Sequence, residues 1–599
     1  MRMPVTGRAR WATAALAAGV LVLSGCSGGD GRKDEDRGAP QGKDKNRAEN
    51  YSVGTRADST GPAAEVPGAK KGGTVHVLQR DAFTYLDPAQ IYYGDQLTVQ
   101  MLFNRSLTTY KVAADGRVTL VGDLATDTGK PSDGGRTWTY RLKDGLKFED
   151  GTPITSADVR QSVERLYAKW ATDGPLYIPQ WLSGGGQSFR KALPDGPYKG
   201  KHLSSSVLDT PDEKTVVFHF QQPHADTPYA VAMPNVGAVP HRGGRDTGEK
   251  YTNHPVSSGP YKVGTLKAGK SLTLVRNEHW DPRTDAVRHQ YPDRFDIRFG
   301  IQEPDSGRRL LADRGSDRTA MSFTNAVTIE NGPAVLKDRG TAARSFNEVQ
   351  PYVDYMAINM TRQKDKKVRQ ALAYALPNGQ ILGQFGGPRA GQVAGNLLSP
   401  SLAGWKDTDP YGKKTHPAGD PVKAKALLKE AGKEGQEIVY AYPNTTEYQK
   451  VAVVVAQALE KAGFRVEKKE IDSNNYSTEI SKTDNRFDIY RASWGADWPV
   501  GSTVVPPLFH GDGVADGSQN YWHLKSASVD AEIDRINGMT DVEAASEQWV
   551  KLAERILKDE VPAVPIFYNR QWSLWGSGLG GVKYHSVYGT ADPTGVFVK

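Results

Sequence analysis

The sequence predicts a mixed α/β fold divided into more than one domain. Three observations carry that expectation. Stretches that alternate apolar and polar residues at period two recur beside stretches with apolar residues at helical spacing. A folded part of roughly 530 residues exceeds what one hydrophobic core supports. No period of about 20 to 50 residues marks a solenoid, and beyond the N-terminal segment no apolar run approaches the roughly 18 residues of a membrane span.

The elements follow in order. Residues 73–78, 137–142 and 215–220 read as strands, the last two with strict alternation. Thr155-Ser156-Ala157-Asp158 opens a helix, with a hydroxyl ahead of a carboxylate and Val159, Val163, Leu166 and Tyr167 at helical spacing. Residues 365–376 form a helix stopped by Pro377, and 421–431 a helix with proline in its first turn and Gly432 at its end. Residues 451–462 continue as a helix ended by Gly463, with a strand at 464–467; a late helix covers 546–558 and a late strand 563–568.

The N-terminus reads as an export signal. Arg2, Arg8 and Arg10 precede an apolar stretch from Trp11 to Leu23, then Leu23-Ser24-Gly25-Cys26. Cys26 is the only cysteine, so no internal disulfide is available. Leu-Ser-Gly-Cys resembles the bacterial lipobox, in which cleavage leaves the cysteine first and its thiol carries a diacylglyceryl group. That implies residues 1–25 as signal peptide and anchorage by Cys26 to the outer face of the cell membrane. Residues 26–70 are rich in Gly, Asp, Lys and Arg and poor in apolar residues, which predicts a disordered leash, with folded structure from Lys71.

The charge is unremarkable in size: 76 basic against 69 acidic residues, a formal +7, dispersed along the chain. Residues 364–369 are the densest basic patch and read as a solvated helix start, so no nucleic-acid partner is expected. Two nucleotide motifs fail in context. Gly264-Thr265-Leu266-Lys267-Ala268-Gly269-Lys270-Ser271 fits G-x-x-x-x-G-K-S, but Leu272-Thr273-Leu274-Val275 continues as a strand where a phosphate loop needs a helix. A hairpin with Lys267-Ala268-Gly269-Lys270 at its tip is expected instead. Gly576-Ser577-Gly578-Leu579-Gly580-Gly581 fits G-x-G-x-x-G but is also followed by strand-like residues, which predicts a turn. The 12 histidines show no metal-ligand spacing, and the one G-x-S-x-G match, at residues 25–29, straddles the cleavage site. No enzyme, metal or cofactor is expected.

Several blocks in order carry a resemblance. They are Gly72-Gly73-Thr74-Val75; Leu86-Asp87-Pro88-Ala89; Leu124-Ala125-Thr126-Asp127; residues 133–142; residues 145–159; Pro255-Val256-Ser257-Ser258-Gly259-Pro260-Tyr261; Arg276-Asn277-Glu278-His279-Trp280; residues 368–375; residues 424–432; and Ser493-Trp494-Gly495-Ala496-Asp497-Trp498-Pro499. From Lys71 onward the chain resembles the family 5 extracellular solute-binding proteins, the oligopeptide- and dipeptide-binding receptors of bacterial ABC importers. It departs at Asp127-Thr128, where the family usually has Trp, at Ala375-Leu376-Pro377-Asn378, where it has Ala-Ile-Asp-Arg, and by insertions near 180–201 and 242–250.

The resemblance implies a type 2 periplasmic-binding-protein fold, two lobes around a ligand cleft plus an extra subdomain. It implies a discontinuous first lobe at 71–107, 206–320 and 556–599, the extra subdomain at 108–205 and the second lobe at 321–555. It further implies a monomeric receptor that passes an oligopeptide to permease subunits of an ABC transporter. In such relatives the aspartate of Trp-x-x-Asp pairs with the ligand's α-ammonium, which here is Asp497. Trp494 would wall the ligand, and the Gly495-Ala496 backbone would pair with an extended peptide. Tyr92 and Tyr93, on a loop that relatives send to the cleft, and Trp498 complete the expected site. Alternatives are the same fold with a nickel complex, haem, an oligosaccharide or a signalling peptide as ligand, a secreted hydrolase, or a surface chaperone. Asp497 favours a ligand with an ammonium group.

Overall fold

The computed structural model describes residues 51–599; the expected signal segment, Cys26 and the leash up to residue 50 lie outside the described residues. The first lobe is built on a five-stranded sheet ordered Ala320–Met321, Thr74–Leu78, Arg294–Arg298, Ser271–Arg276, Tyr261–Lys267. Val75, Val77, Leu272, Leu274, Phe295 and Ile297 alternate into its core, as period-two patterning requires. Its last two strands form the hairpin expected at the phosphate-loop match. Lys270 N donates to Lys267 O at 2.9 Å, and Gly269 supplies the positive φ of 68° that the tip needs.

The second lobe is built on a six-stranded sheet ordered Gly391–Val393, Ala563–Leu574, Ser345–Ile358, Ile489–Gly495, Glu437–Pro443, Arg465–Ile471. Helices Lys366–Ala375, Pro421–Glu430, Thr446–Lys461 and Val542–Asp559 share its apolar core. Val542–Asp559 shows why: Ala545, Trp549, Leu552, Ala553 and Ile556 fall on one face, and Asp541 caps the start by accepting from Ala544 N at 3.0 Å. Among the described residues no helix is long and apolar enough to cross a membrane.

The extra subdomain carries a four-stranded sheet ordered Lys130–Ser132, Thr137–Arg141, Thr215–His219, Leu208–Asp212. Its helix Ser156–Arg165 begins as the hydroxyl–carboxylate pattern predicts, Asp158 Oδ2 accepting from Thr155 N at 2.8 Å.

Three expected boundaries need correction. The sequence expectation places residues 206–220 in the first lobe, but Thr215–His219 pairs directly with Thr137–Arg141, so they complete the subdomain sheet. It likewise places residues 556–574 there, but Ala563–Leu574 pairs with Ser345–Ile358 in the second lobe's sheet. The leash was expected to reach residue 70, yet the chain is folded from Tyr51. Tyr51–Val53 pairs in parallel with Val118–Gly122, Ser59 is fully buried with its Oγ accepting from Gly122 N at 2.8 Å, and Glu65 accepts from Tyr291 Oη at 2.6 Å. Polar composition concealed this because hydrogen bonds hold much of the segment, with Ala63 buried and Tyr51 packed against the core.

Two strands join the lobes. Ser345–Ile358 and Ala563–Leu574 pair along their length with a register shift between Val349 and Val353. On one side of the shift Trp572 and Leu574 pack with Leu78, Leu310 and Ala320 of the first lobe; on the other Ile358 and Val564 lie in the second lobe's core.

A buried ion network sits where the first lobe meets the subdomain. Arg105 Nε donates to Asp123 Oδ1 at 2.7 Å, and Arg288 donates to Asp123 Oδ2 at 2.9 Å and to Asp285 Oδ2 at 3.2 Å. Arg288 Nε also donates to Met101 O at 2.7 Å, gripping the end of helix Gly94–Gln100. All four side chains are at most 3 % exposed. Arg288→Ala, which strands two buried carboxylates on Arg105 alone, is expected to lower unfolding free energy by about 3–5 kcal/mol in urea titration. Arg283→Ala, at an exposed pair with Asp281, should stay within about 1 kcal/mol.

Candidate functional site

The Trp-Gly-Ala-Asp-Trp segment leaves the end of strand Ile489–Gly495 and folds back on itself. Asp497 N donates to Thr503 Oγ1 at 3.3 Å and Trp494 Nε1 donates to Thr503 O at 2.7 Å. Gly495 lies opposite Tyr352 in the ladder, where a Cβ would fall 2.2 Å from Tyr352 Cε1. Glycine is needed there for close approach, and the tyrosine ring lies against the backbone two residues before Asp497.

Both other parts of the molecule reach this carboxylate. Tyr92, just before helix Gly94–Gln100 of the first lobe, donates from Oη to Asp497 Oδ2 at 2.9 Å. Tyr177, which opens helix Tyr177–Leu182 of the subdomain, donates to the same oxygen. Burial pushes the Asp497 carboxyl up to about 6, with the bonds from Tyr177 and Tyr92 pulling the other way. Among the described residues Asp497 has no ion pair, so its charge is met by neutral donors alone. Such a carboxylate is a strong acceptor for a cation.

A second set of contacts closes the subdomain on the same loop. Trp498 Nε1 lies 3.3 Å from both Asp226 Oδ2 and Ser502 Oγ, and Ser502 also donates to Asp226. Burial raises the Asp226 carboxyl, and the Ser502 and Trp498 bonds oppose it. Tyr177 packs edge-on to Trp498 with centroids 4.6 Å apart, and Trp181 stacks on His224 at 4.1 Å.

The expected site residues therefore divide. Asp497, Trp494, Gly495 and Tyr92 converge. Ala496 is also there, and its amide donates to Pro351 O at 3.3 Å, so that donor is committed to the protein's own backbone. Tyr93 turns outward and is 63 % exposed. Trp498 is 1 % exposed and binds the subdomain, so it packs the interface rather than walling a ligand. Sequence reading missed Tyr177, Tyr352, Asp226 and Ser502. Tyr177 sits beside the insertion near 180–201, and no periodicity marks it.

The model of the bacterial extracellular solute-binding proteins, family 5 (middle), matches residues 119–516. A probable D,D-dipeptide-binding periplasmic protein of Escherichia coli K12 is 23 % identical over 515 residues, covering 84 % of this chain and 90 % of that protein. The glutathione-binding protein of Escherichia coli O1:K1 is 23 % identical over 512 residues, covering 83 % and 90 %. Among solved structures, clavulanic acid biosynthesis oligopeptide binding protein 2 superposes with a TM-score of 0.79 at 28 % identity, covering 92 % of this chain and 100 % of that one. The unliganded open form of a periplasmic murein tripeptide binding protein superposes at 0.67 with 20 % identity, covering 89 % and 99 %. The architecture is thus the two-lobed type 2 binding-protein fold.

The contact at Gly495 yields a prediction. Gly495→Ala forces the Tyr352 ring off the strand, and overpacking of this kind is expected to cost about 1–3 kcal/mol of stability. The loss should appear in thermal unfolding, with a changed near-ultraviolet dichroism from the displaced tyrosine.

Proposed function

We propose that this chain, which belongs to the bacterial extracellular solute-binding proteins of family 5, captures an oligopeptide between its lobes and delivers it to the permease subunits of an ABC importer. The family is one of solute-binding transport proteins rather than enzymes. The observation that carries the reading is the Asp497 carboxylate, reached from both other parts of the molecule and lacking a cation of its own. Both tyrosine bonds fall on Oδ2, which leaves Oδ1 to accept from a peptide's α-ammonium. Trp494 flanks that position from the same loop. Peptide or glutathione binding in the names of the relatives supports the ligand class.

Tyr92, Tyr177, Asp226, Trp498 and Ser502 hold the lobes together around the anchor, and the two crossing strands, with their register shift, form the hinge. At the other end, lipid on Cys26 ties a monomeric receptor to the outer face of the membrane, where its cargo is taken up.

The direct test is to purify residues 27–599, release bound material by mild unfolding and identify it by mass spectrometry. Short peptides are expected; a single non-peptide compound or a metal complex would keep the transport role and discard the ligand class.

Protonation gives a second test. The α-ammonium needs the ionised carboxylate and itself stays charged below its usual value of about 8. With the Asp497 carboxyl at about 6, affinity is lost as pH falls through that value and is about tenfold weaker at pH 5 than at pH 7. Asp497→Asn is expected to cost about 2–5 kcal/mol of binding at pH 7 and to flatten the pH dependence in calorimetric titration. A folded variant with unchanged affinity overturns the anchor.

A further inference from the structure

The first lobe turns a second carboxylate toward the same region. Asp95 lies in the first turn of helix Gly94–Gln100, three residues after Tyr92. Its Oδ1 accepts from Gln96 N at 2.8 Å and its Oδ2 from Gln79 Nε2 at 3.2 Å. Among the described residues it forms no ion pair. Burial pushes its carboxyl up, the Gln96 amide opposes that, and the neighbouring Asp81 adds to it. Arg80, the adjacent cation, is taken by Asp81 at 2.8 Å and Glu303 at 3.4 Å. The Glu303 carboxyl is itself raised, burial outweighing the neighbouring Arg80.

Gln79 supplies an independent sign. It is 1 % exposed, and its Nε2 serves Asp95 and, at 2.9 Å, Thr324 Oγ1. Its Oε1 is buried and, among the described residues, accepts from nothing. A buried acceptor without a donor is costly. Here it belongs to the same carboxamide that holds Asp95, so an amide oxygen and a carboxylate stand together with no cation bonded to either among the described residues; Arg80 acts on Asp95 through its charge alone. Tyr352 links this pair to the anchor. Its ring lies on Gly495, its Oη is 3.7 Å from where a Gly94 Cβ would be, and the charges of both Asp497 and Asp95 act on its hydroxyl.

The geometry points to Asp95, with Gln79 Oε1, as a second cation site that selects peptides carrying an arginine or lysine side chain near the residue held at Asp497. A guanidinium offers several donors in one plane and can serve a carboxylate and an amide oxygen at once. This rests on the peptide-receptor reading above. A purely structural Asp95, bonded to its own helix, would affect stability but not the ratio of affinities for charged and neutral peptides.

That ratio is the measurement. Tetra-alanine and its four versions with a single arginine are titrated calorimetrically at pH 7 into the wild-type protein and into Asp95→Asn. At least one arginine peptide should bind the wild type about tenfold tighter than tetra-alanine, the strength of one partly buried charge-assisted contact. Asp95→Asn should lose that preference while holding tetra-alanine within about twofold of wild type. Should Asp95→Asn fail to fold, Gln79→Leu is expected to reduce the ratio at least about threefold by removing the amide acceptor. Equal affinities for all five peptides in the wild type, or a preference that survives these substitutions, overturns the second cation site alone. Binding of none of the five overturns the peptide-receptor reading, and this inference with it.

Discussion

The first-lobe loop that carries Tyr92 hangs on the pairing of Arg105, Asp123, Asp285 and Arg288. Four charges removed from water are tolerable only if each is met by its opposites and by carbonyls, and here they are. Arg105 also donates to Thr284 O, Arg288 to Met101 O, and Lys143 donates to Gly122 O and Thr284 O. These bonds tie the end of helix Gly94–Gln100 to the 282–288 turn and to the subdomain hairpin that ends at Gly122. Tyr92 and Asp95, at the other end of that short helix, inherit their positions from it. A well-packed apolar cluster would stabilise as much, but it would not dictate the helix's direction through so many oriented bonds.

The carboxylates of the molecule sort by what surrounds them. Burial works against ionisation of Asp285 and Asp592, yet Arg288 and Arg105 beside the one, and Lys583 beside the other, hold both carboxyls below the usual range. Asp497, Asp226 and Asp95 are partly buried and form no ion pair among the described residues, and all three are raised. The first group completes the fold. Asp226 spends its acceptors on Ser502 and Trp498, across the interface with the second lobe. Asp497 and Asp95 form no ion pair among the described residues, and this sets them apart from the carboxylates that complete the fold, without appeal to position in sequence.

Much of this was legible beforehand. The strand after Gly264-Thr265-Leu266-Lys267-Ala268-Gly269-Lys270-Ser271 ruled out a phosphate loop because two-residue alternation persists through the motif, and the hairpin stands where it pointed. The helix starting at Ser156 and the Trp494-to-Trp498 segment were equally readable, the first from its cap and the second from a resemblance. What escaped notice shares a cause. Tyr177, Tyr352 and Asp226 act through contacts with residues more than a hundred positions away, and no local pattern encodes such pairings. The boundaries failed for a similar reason: Thr215–His219 and Ala563–Leu574 belong to their sheets through long-range ladders. Trp498 and Tyr93 were readable as aromatic but not as inward or outward, since burial is decided by the neighbours.

The N-terminal strap has a mechanical meaning. Tyr51–Val53 lies parallel to Val118–Gly122, Ser59 is locked beneath Gly122, and Ala63 and Glu65 bond to Asp285 and Tyr291. A pull on the chain at residue 51 is therefore a shear along a strand pair, shared with the first lobe and the subdomain together.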